Sequence, residues 1–221
     1  MSVLLAILWK DLVTEWRSRD RIAAMLLFSL LVVMVFHFSL PGGVTKQTQA
    51  SAPGLLWIAY VFAALLGLNR SFSIELENDA LAGIALSPVD RGWIFLGKTA
   101  ANWAILGAAQ AITACVFALV FDLALAAVAL RLALVVGLGS LGLCSVGTLF
   151  AAVAVRTRFR EVMLPLLLLP LLVPVLLGAV RATTGLIETG ALAWAPVQLL
   201  LVTDAIYLIV SFLVFDYVLD E

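Results

Sequence analysis

Leu132–Val155, LALVVGLGSLGLCSVGTLFAAVAV, runs for 24 residues without a charge. A helix that crosses the hydrocarbon core of a bilayer needs about 20 mostly apolar residues, within a range of roughly 17–25. Working outward, five more runs meet the same test: Ile22–Leu40, Ala52–Leu68, Thr99–Phe121, Val162–Val180 and Ala195–Phe215. The chain of 221 residues is 64% hydrophobic and 12% charged. A soluble domain averages about 45–50% apolar and about 25% charged. A water-soluble protein is excluded, and the fold class read here is an all-α integral membrane protein with six transmembrane helices.

The charges between the runs are sorted. Lys10, Arg17, Arg19 and Arg21 precede the first span, Arg70, Arg91 and Lys98 lie between the second and third, and Arg156, Arg158 and Arg160 between the fourth and fifth. The other connections hold Lys46, Arg131 and Arg181, so 10 of the 13 Lys and Arg fall on one side. The positive-inside rule places that side, and both termini, in the cytoplasm. The net charge of −1 gives no reason to expect a nucleic-acid partner.

Residues 1–21 read as an amphipathic interfacial helix ahead of the first span. Leu5, Leu8, Trp9, Leu12 and Trp16 share one face at 3.6-residue spacing, with Lys10, Asp11, Thr14, Arg17 and Ser18 opposite. Such a helix suits the headgroup layer. It is not a cleavable signal, because the short apolar stretch Val3–Trp9 ends at Lys10-Asp11 and no small-x-small site follows. Trp57, near the start of the second span, suits an outer aromatic belt.

The largest polar piece, residues 69–98, reads as a cytoplasmic coupling segment. Ser71 and Ser73 are expected to cap a new short helix. Glu75, Glu77 and Asp79 enrich its early part with acid, as the helix dipole favours. Pro88 ends it, because the residue before proline is pushed out of the helical region. Gly92–Thr99, GWIFLGKT, matches the P-loop pattern, but a polar turn precedes it rather than a buried strand, and Trp93–Leu96 are anchors for the third span. It is rejected as a nucleotide site.

Within the spans, Gly137, Ser140, Cys144, Gly147 or Thr148, and Ala151 form a stripe of small residues that allows close helix approach, either inside the bundle or against a second copy. Pro165, Pro170 and Pro174 imply kinks or a break in the fifth span, and broken membrane helices occur where the freed backbone faces protein or water. Residues 181–194 read as a loop or a short re-entrant hairpin. Asp204 is the one acid deep in a span, with Thr203, Tyr207 and Arg181 as candidate partners; an intramembrane carboxylate is a functional candidate by default. His37, the single histidine, stands between Phe36 and Phe38 and reads as an interface residue before a ligand. Cys115 and Cys144 read as small buried apolar residues. No catalytic triad or paired-carboxylate set can be assembled, so the chain is not expected to be an enzyme. The stretches outside the spans leave no room for a soluble energy-converting domain, which must come from another chain.

These features in their order resemble the permeases of type II ABC exporters, in which a coupling helix follows a pattern like F-x-x-E…L…L-x-x-P…GK. The matching residues are Phe72, Glu75, Leu81, Leu86-Ser-Pro88 and Gly97-Lys98. More narrowly, the chain resembles the CcmB family of haem exporter permeases. Ala52-Pro53-Gly54 with Trp57, Asn69-Arg70-x-Phe72, Leu86-Ser-Pro88 and Leu169-Pro170-Leu-Leu-Val-Pro174 carry that likeness over nearly the whole chain. The resemblance implies one transmembrane permease domain over residues 1–221, an ABC ATPase subunit as partner, and a second copy of the chain. It also implies a haem-handling membrane subunit and a periplasmic haem chaperone, with haem as the transported or handled species rather than a bound cofactor. Phe72, Glu75, Glu77, Asp79, Leu81 and Pro88 would couple to the ATPase, while Pro170, Pro174 and Asp204 are the intramembrane candidates. A permease for another hydrophobic or lipid substrate, or a membrane scaffold of a haem-ligation complex, is the alternative.

The charge asymmetry sets a direct test. Reporters fused at Gly43 or Gly185 are expected to read as periplasmic, and those fused at Ser87 or Thr157 as cytoplasmic. A cytoplasmic signal at Gly43 would overturn the topology.

Overall fold

The computed structural model describes residues 3–39, 45–77, 90–154 and 160–218. These residues form α1 (Val3–Ser18), α2 (Asp20–Ser39), α3 (Lys46–Glu77), α4 (Arg91–Val120), a 3-10 turn (Leu125–Val128), α5 (Ala129–Ala154), α6 (Arg160–Thr189) and α7 (Trp194–Val218). Six of the helices, α2 to α7, are long and apolar enough to cross a membrane. No strand occurs among the described residues. That follows from the solvent: without water to receive backbone N–H and C=O groups, a spanning segment must satisfy them internally, as a helix does.

α5 is the central element and touches α3, α4, α6 and α7. From Gly142 to Leu149 every residue of α5 is buried. Its glycines make that possible. A Cβ on Gly139 would strike the indole of Trp57, one on Gly142 the carboxyl of Asp204, and one on Gly147 the side chain of Leu68. Three side chains from α3 and α7 therefore seat directly on the α5 backbone. The small-residue stripe from Ser140 to Ala151 works inside the bundle, whereas Gly137 accepts a hydrogen bond from Trp103 Nε1 through its carbonyl (2.8 Å).

Several expectations need correction. Trp57 is not at an interface: it is 1% exposed and donates from Nε1 to Thr183 Oγ1 at 3.0 Å. α3 starts at Lys46, ahead of Pro53, and runs without interruption to Glu77, so Ser71 and Ser73 lie inside a helix rather than at a helix start. Neither does the chain loop after Arg181. α6 continues to Thr189 because the hydroxyls of Thr183, Thr184 and Thr189 bond the carbonyls one turn back, which hides their polarity within the helix. α6 is also unbroken across Pro165, Pro170 and Pro174. Cys144 is buried as expected, but Cys115 is exposed on the outside of the bundle.

The turns at one end are closed by side chains. Gln49 Nε2 reaches the carbonyls of Phe121 and Asp122 (3.4 and 3.3 Å), which the end of α4 leaves without helical partners. Arg131 donates to the carbonyl of Gly190, whose φ of +68° ends α6 in the left-handed conformation glycine tolerates. At the opposite end Arg91 donates to the Asp216 carbonyl (2.9 Å) and Arg70 pairs with Asp20 (3.3 Å). The start of α2, the far part of α3, the start of α4 and the end of α7 thus share one end of the bundle.

The seat of Trp57 on Gly139 can be tested by pairing substitutions. Gly139→Ala alone is expected to cost about 1–3 kcal/mol, the usual penalty for overpacking. In a Trp57→Ala background it should cost much less. Equal losses of thermal stability in detergent in both backgrounds would show that the two residues do not meet.

Candidate functional site

The basic end of the bundle holds a buried polar network. α1 ends at Ser18, and the φ of +56° at Arg19 turns the chain directly into α2. That turn brings Glu15 (6% exposed) onto Arg21 (5% exposed), with Oε2 3.5 Å from Nε, while Glu15 Oε1 accepts from the Ile22 N–H at 2.8 Å. Arg21 donates to Asn102 Oδ1 (3.0 Å), and Asn102 Nδ2 donates to Thr148 Oγ1 (2.9 Å). One turn earlier on α4, Lys98 pairs with Asp11 at 3.2 Å, and Ile7 lies against Gly97. Four helices are thereby joined through polar side chains: α1 by its acids, α2 by Arg21, α4 by Lys98 and Asn102, α5 by Thr148.

The helical pattern of α1 located its tryptophans correctly but not its docking side. Leu5, Trp9 and Trp16 point outward, whereas Ile7, Asp11 and Glu15 turn toward the bundle. Asp11 looked like part of a solvated face. Its partner comes from 87 residues away, and no local pattern announces it. The position of Lys98 also disposes of the P-loop likeness: Gly92–Thr99 lies in the first turns of α4, where the Gly92 and Trp93 N–H groups are taken by the Asp90 carboxylate and carbonyl and the ammonium is held by Asp11.

Deeper in the bundle a second set of polar groups faces inward. Ser29 and Thr113 hydroxyls meet at 2.8 Å. Ser140 donates to Gln110 Oε1 (2.6 Å) and Tyr60 to the Gln110 carbonyl (3.1 Å). Tyr60, Gln110 and Ser140 line the floor of a cleft of about 910 Å³ between α4 and α5. Its walls are mostly small: Ala104, Gly107, Ala111 and Ala114 on α4, with Ala133 and Gly137 on α5. Cys115 is also on the cleft. Clefts of roughly 300–1,000 Å³ with apolar walls and a few polar groups are the usual form of small-molecule sites. This one can take an apolar body.

The residues singled out from sequence do not gather in one place. Phe72, Glu75 and Glu77 belong to the last turns of α3. Asp79, Leu81 and Pro88 lie outside the described residues. His37 sits at the end of α2 remote from the basic network, with ring contacts to Phe38 and Phe121, and its Nδ1 has no hydrogen-bond partner among the described residues. Asp204 is 3% exposed, and neither carboxyl oxygen has a partner among the described residues. The expected partners are occupied or distant: Thr203 bonds the Leu199 carbonyl, Tyr207 bonds the Leu171 carbonyl, and Arg181 is exposed. Pro170 and Pro174 flank that Leu171 carbonyl.

Six apolar helices, four of them packed against a glycine-bearing central fifth, with buried charge tying one end of the bundle, define a multi-pass α-helical membrane protein. The sequence profile described as CcmB protein matches residues 2–219. The chain belongs to the CcmB family. Among curated relatives, heme exporter protein B of Pseudomonas aeruginosa is 32% identical over 184 residues, covering 81% of each chain. Heme exporter protein B of Paracoccus denitrificans is 32% identical over 204 residues, covering 92% of this chain and 90% of its own length. The protein of that name from Rhodobacter capsulatus is 33% identical over 173 residues, covering 78% of both.

Removing one partner of a buried ion pair strands the other charge, at a cost of about 3–5 kcal/mol, whereas removing both is far milder. Arg21→Met is therefore expected to lower thermal stability strongly, and Glu15→Gln with Arg21→Met to recover most of it. Additive losses in a double-mutant cycle would mean that the two side chains are not coupled.

Proposed function

We propose that this chain is the permease subunit of an ABC-type exporter that delivers haem for cytochrome c biogenesis, driven by ATP hydrolysis on a separate subunit. The observation that carries the reading is the family match over residues 2–219, with relatives named heme exporter protein B aligned over most of their length. The complex would hold two copies of the chain, an ATPase at the basic end, a haem-handling membrane subunit and a haem chaperone on the far side. Haem is cargo in this reading. The lipid-facing cleft between α4 and α5 is roomy enough to rest its apolar body.

The geometry supports a coupling route. α3 has 32 residues and α4 has 30. At 1.5 Å per residue these are about 48 and 45 Å long, against a hydrocarbon core of about 30 Å. Both helices outrun the core, and residues 78–89 join them. A push on that connection would displace the start of α4. There Gly97 and Lys98 hold α1, and Asn102 holds Arg21 of α2 and Thr148 of α5. Movement at the connection is thus shared by four helices through hydrogen bonds and ion pairs rather than by apolar contact alone.

Glu75 and Glu77 would meet a basic rim on the ATPase. Exposed charge pairs contribute little singly, at about 0–1 kcal/mol, so alanine substitutions should be mild. Reversing both to lysine is expected to reduce ATPase co-purification and cytochrome c maturation several-fold while membrane insertion stays intact. Full co-purification and normal maturation in the double reversal would sink the coupling assignment.

A further inference from the structure

Asp204 is the feature the coupling route leaves unused. It lies near the middle of α7, ten residues from Trp194 and fourteen from Val218. Leu201, Val202, Ile206 and Ile209 on the same helix are exposed to the outside of the bundle, and Asp204 is turned away from them. Its carboxyl rests on the backbone of Gly142 in α5, beside Val175 of α6. A side chain at 142 would fill the space that Oδ1 occupies.

Among the described residues no countercharge is available at that depth. α4 carries no charged residue between Lys98 and the end of the helix, and α5 none after Arg131. α6 carries none between Glu161 and Arg181, and α7 none between Asp204 and Asp216 or back to Trp194. The other titratable groups on these helices are Cys115, Cys144, Tyr207 and Tyr217, none of them cationic, and the Tyr207 hydroxyl is committed to the Leu171 carbonyl. On the remaining helices that pack into the bundle, Tyr60 of α3 donates to the Gln110 carbonyl, and α3 carries no charge between Lys46 and Arg70. The charges of α2 lie at its first turn, and His37 at its last. An ionised carboxylate in such a place would be stranded without cation or donor, which is costly in any low-dielectric setting.

We propose that Asp204 is a proton-binding site. Its carboxyl holds one proton while α5, α6 and α7 are packed as described, and the O–H proton passes to water, leaving a hydrated carboxylate, when α6 parts from α7. The neighbourhood suits such a parting. Pro170 and Pro174 remove helix bonds from α6 on both sides of Leu171, and proline-weakened stretches bend more readily than regular helix. Tyr207, one turn from Asp204, braces that same stretch through the Leu171 carbonyl. The proton site and the brace therefore sit on one face of α7 against the weakest part of α6. The inference rests on the packing of the chain and not on what cargo is carried.

Infrared spectroscopy of the full-length chain in lipid vesicles at neutral pH tests this. The wild type is expected to show a protonated-carboxyl C=O band that shifts when aspartate is labelled with carbon-13 and disappears in Asp204→Asn. Asp204→Asn should keep near-wild-type thermal stability, because an amide of similar shape replaces a neutral group. If that variant does not fold, the labelled wild type alone decides, since Asp11, Asp20, Asp90, Asp122 and Asp216 are ion-paired or at helix ends rather than mid-span, and Asp79 and Asp220 lie in the sequence outside the six apolar runs. Absence of any aspartate-sensitive acid band at neutral pH overturns the proposal, as does one that persists unchanged in Asp204→Asn.

Discussion

The packing of this bundle depends on how closely other helices approach the backbone of α5. In lipid the hydrophobic effect does little to press helices together, and association relies on van der Waals fit and interhelical hydrogen bonds. Gly139, Gly142 and Gly147 supply the fit by leaving hollows filled by Trp57, Asp204 and Leu68. Trp57 adds the hydrogen bond, to Thr183 on α6, so one indole links α3, α5 and α6. Were α5 studded with larger side chains, α3 and α7 would stand off from it and the buried polar groups would lose their distances.

The buried network at the basic end follows a different logic. Glu15, Arg21, Lys98 and Asp11 gain little net stability from being buried together, because desolvation offsets most of their attraction. What they contribute is specificity. Only one placement of α1 against α2 and α4 sets Glu15 on Arg21 and Asp11 on Lys98, and any slip leaves a buried charge alone. The left-handed turn at Arg19 allows a single residue to join α1 to α2 with that register intact. Contacts of this kind hold one arrangement or break, rather than slide.

The spans were legible in the sequence because a run of about twenty uncharged apolar residues suits a bilayer crossing and little else, and the structure places six helices on those runs. Boundaries were less legible. Hydroxyls that bond within their own helix, as in Thr183, Thr184 and Thr189, read as loop residues, and Ser71 and Ser73 read as caps although α3 passes through them. The inward side of α1 was hidden for another reason: Asp11 and Glu15 look solvated until Lys98 and Arg21 are known to face them. Asp204 was visible as an intramembrane acid, but its lack of partners is a property of the packed bundle. The cleft could not be foreseen, since alanines and glycines at helical spacing signal close packing as readily as a gap.

The network also orders events in time. Arg21 meets Asn102 across 81 residues of chain, Lys98 meets Asp11 across 87, and Asn102 meets Thr148 across 46. A membrane protein enters the bilayer from its N-terminus as it is made. When the first span inserts, Arg21 has Glu15 beside it but neither Asn102 nor Thr148 yet exists. In that interval it belongs, with Arg17 and Arg19, to the basic cluster just ahead of the first span. Once α4 and α5 have been synthesised, the same guanidinium is withdrawn from water and becomes internal. One residue thus begins in an exposed basic cluster and ends as a keystone of the packed bundle. The N-terminal helix can take up its final position only when α4, about half of the chain, has emerged.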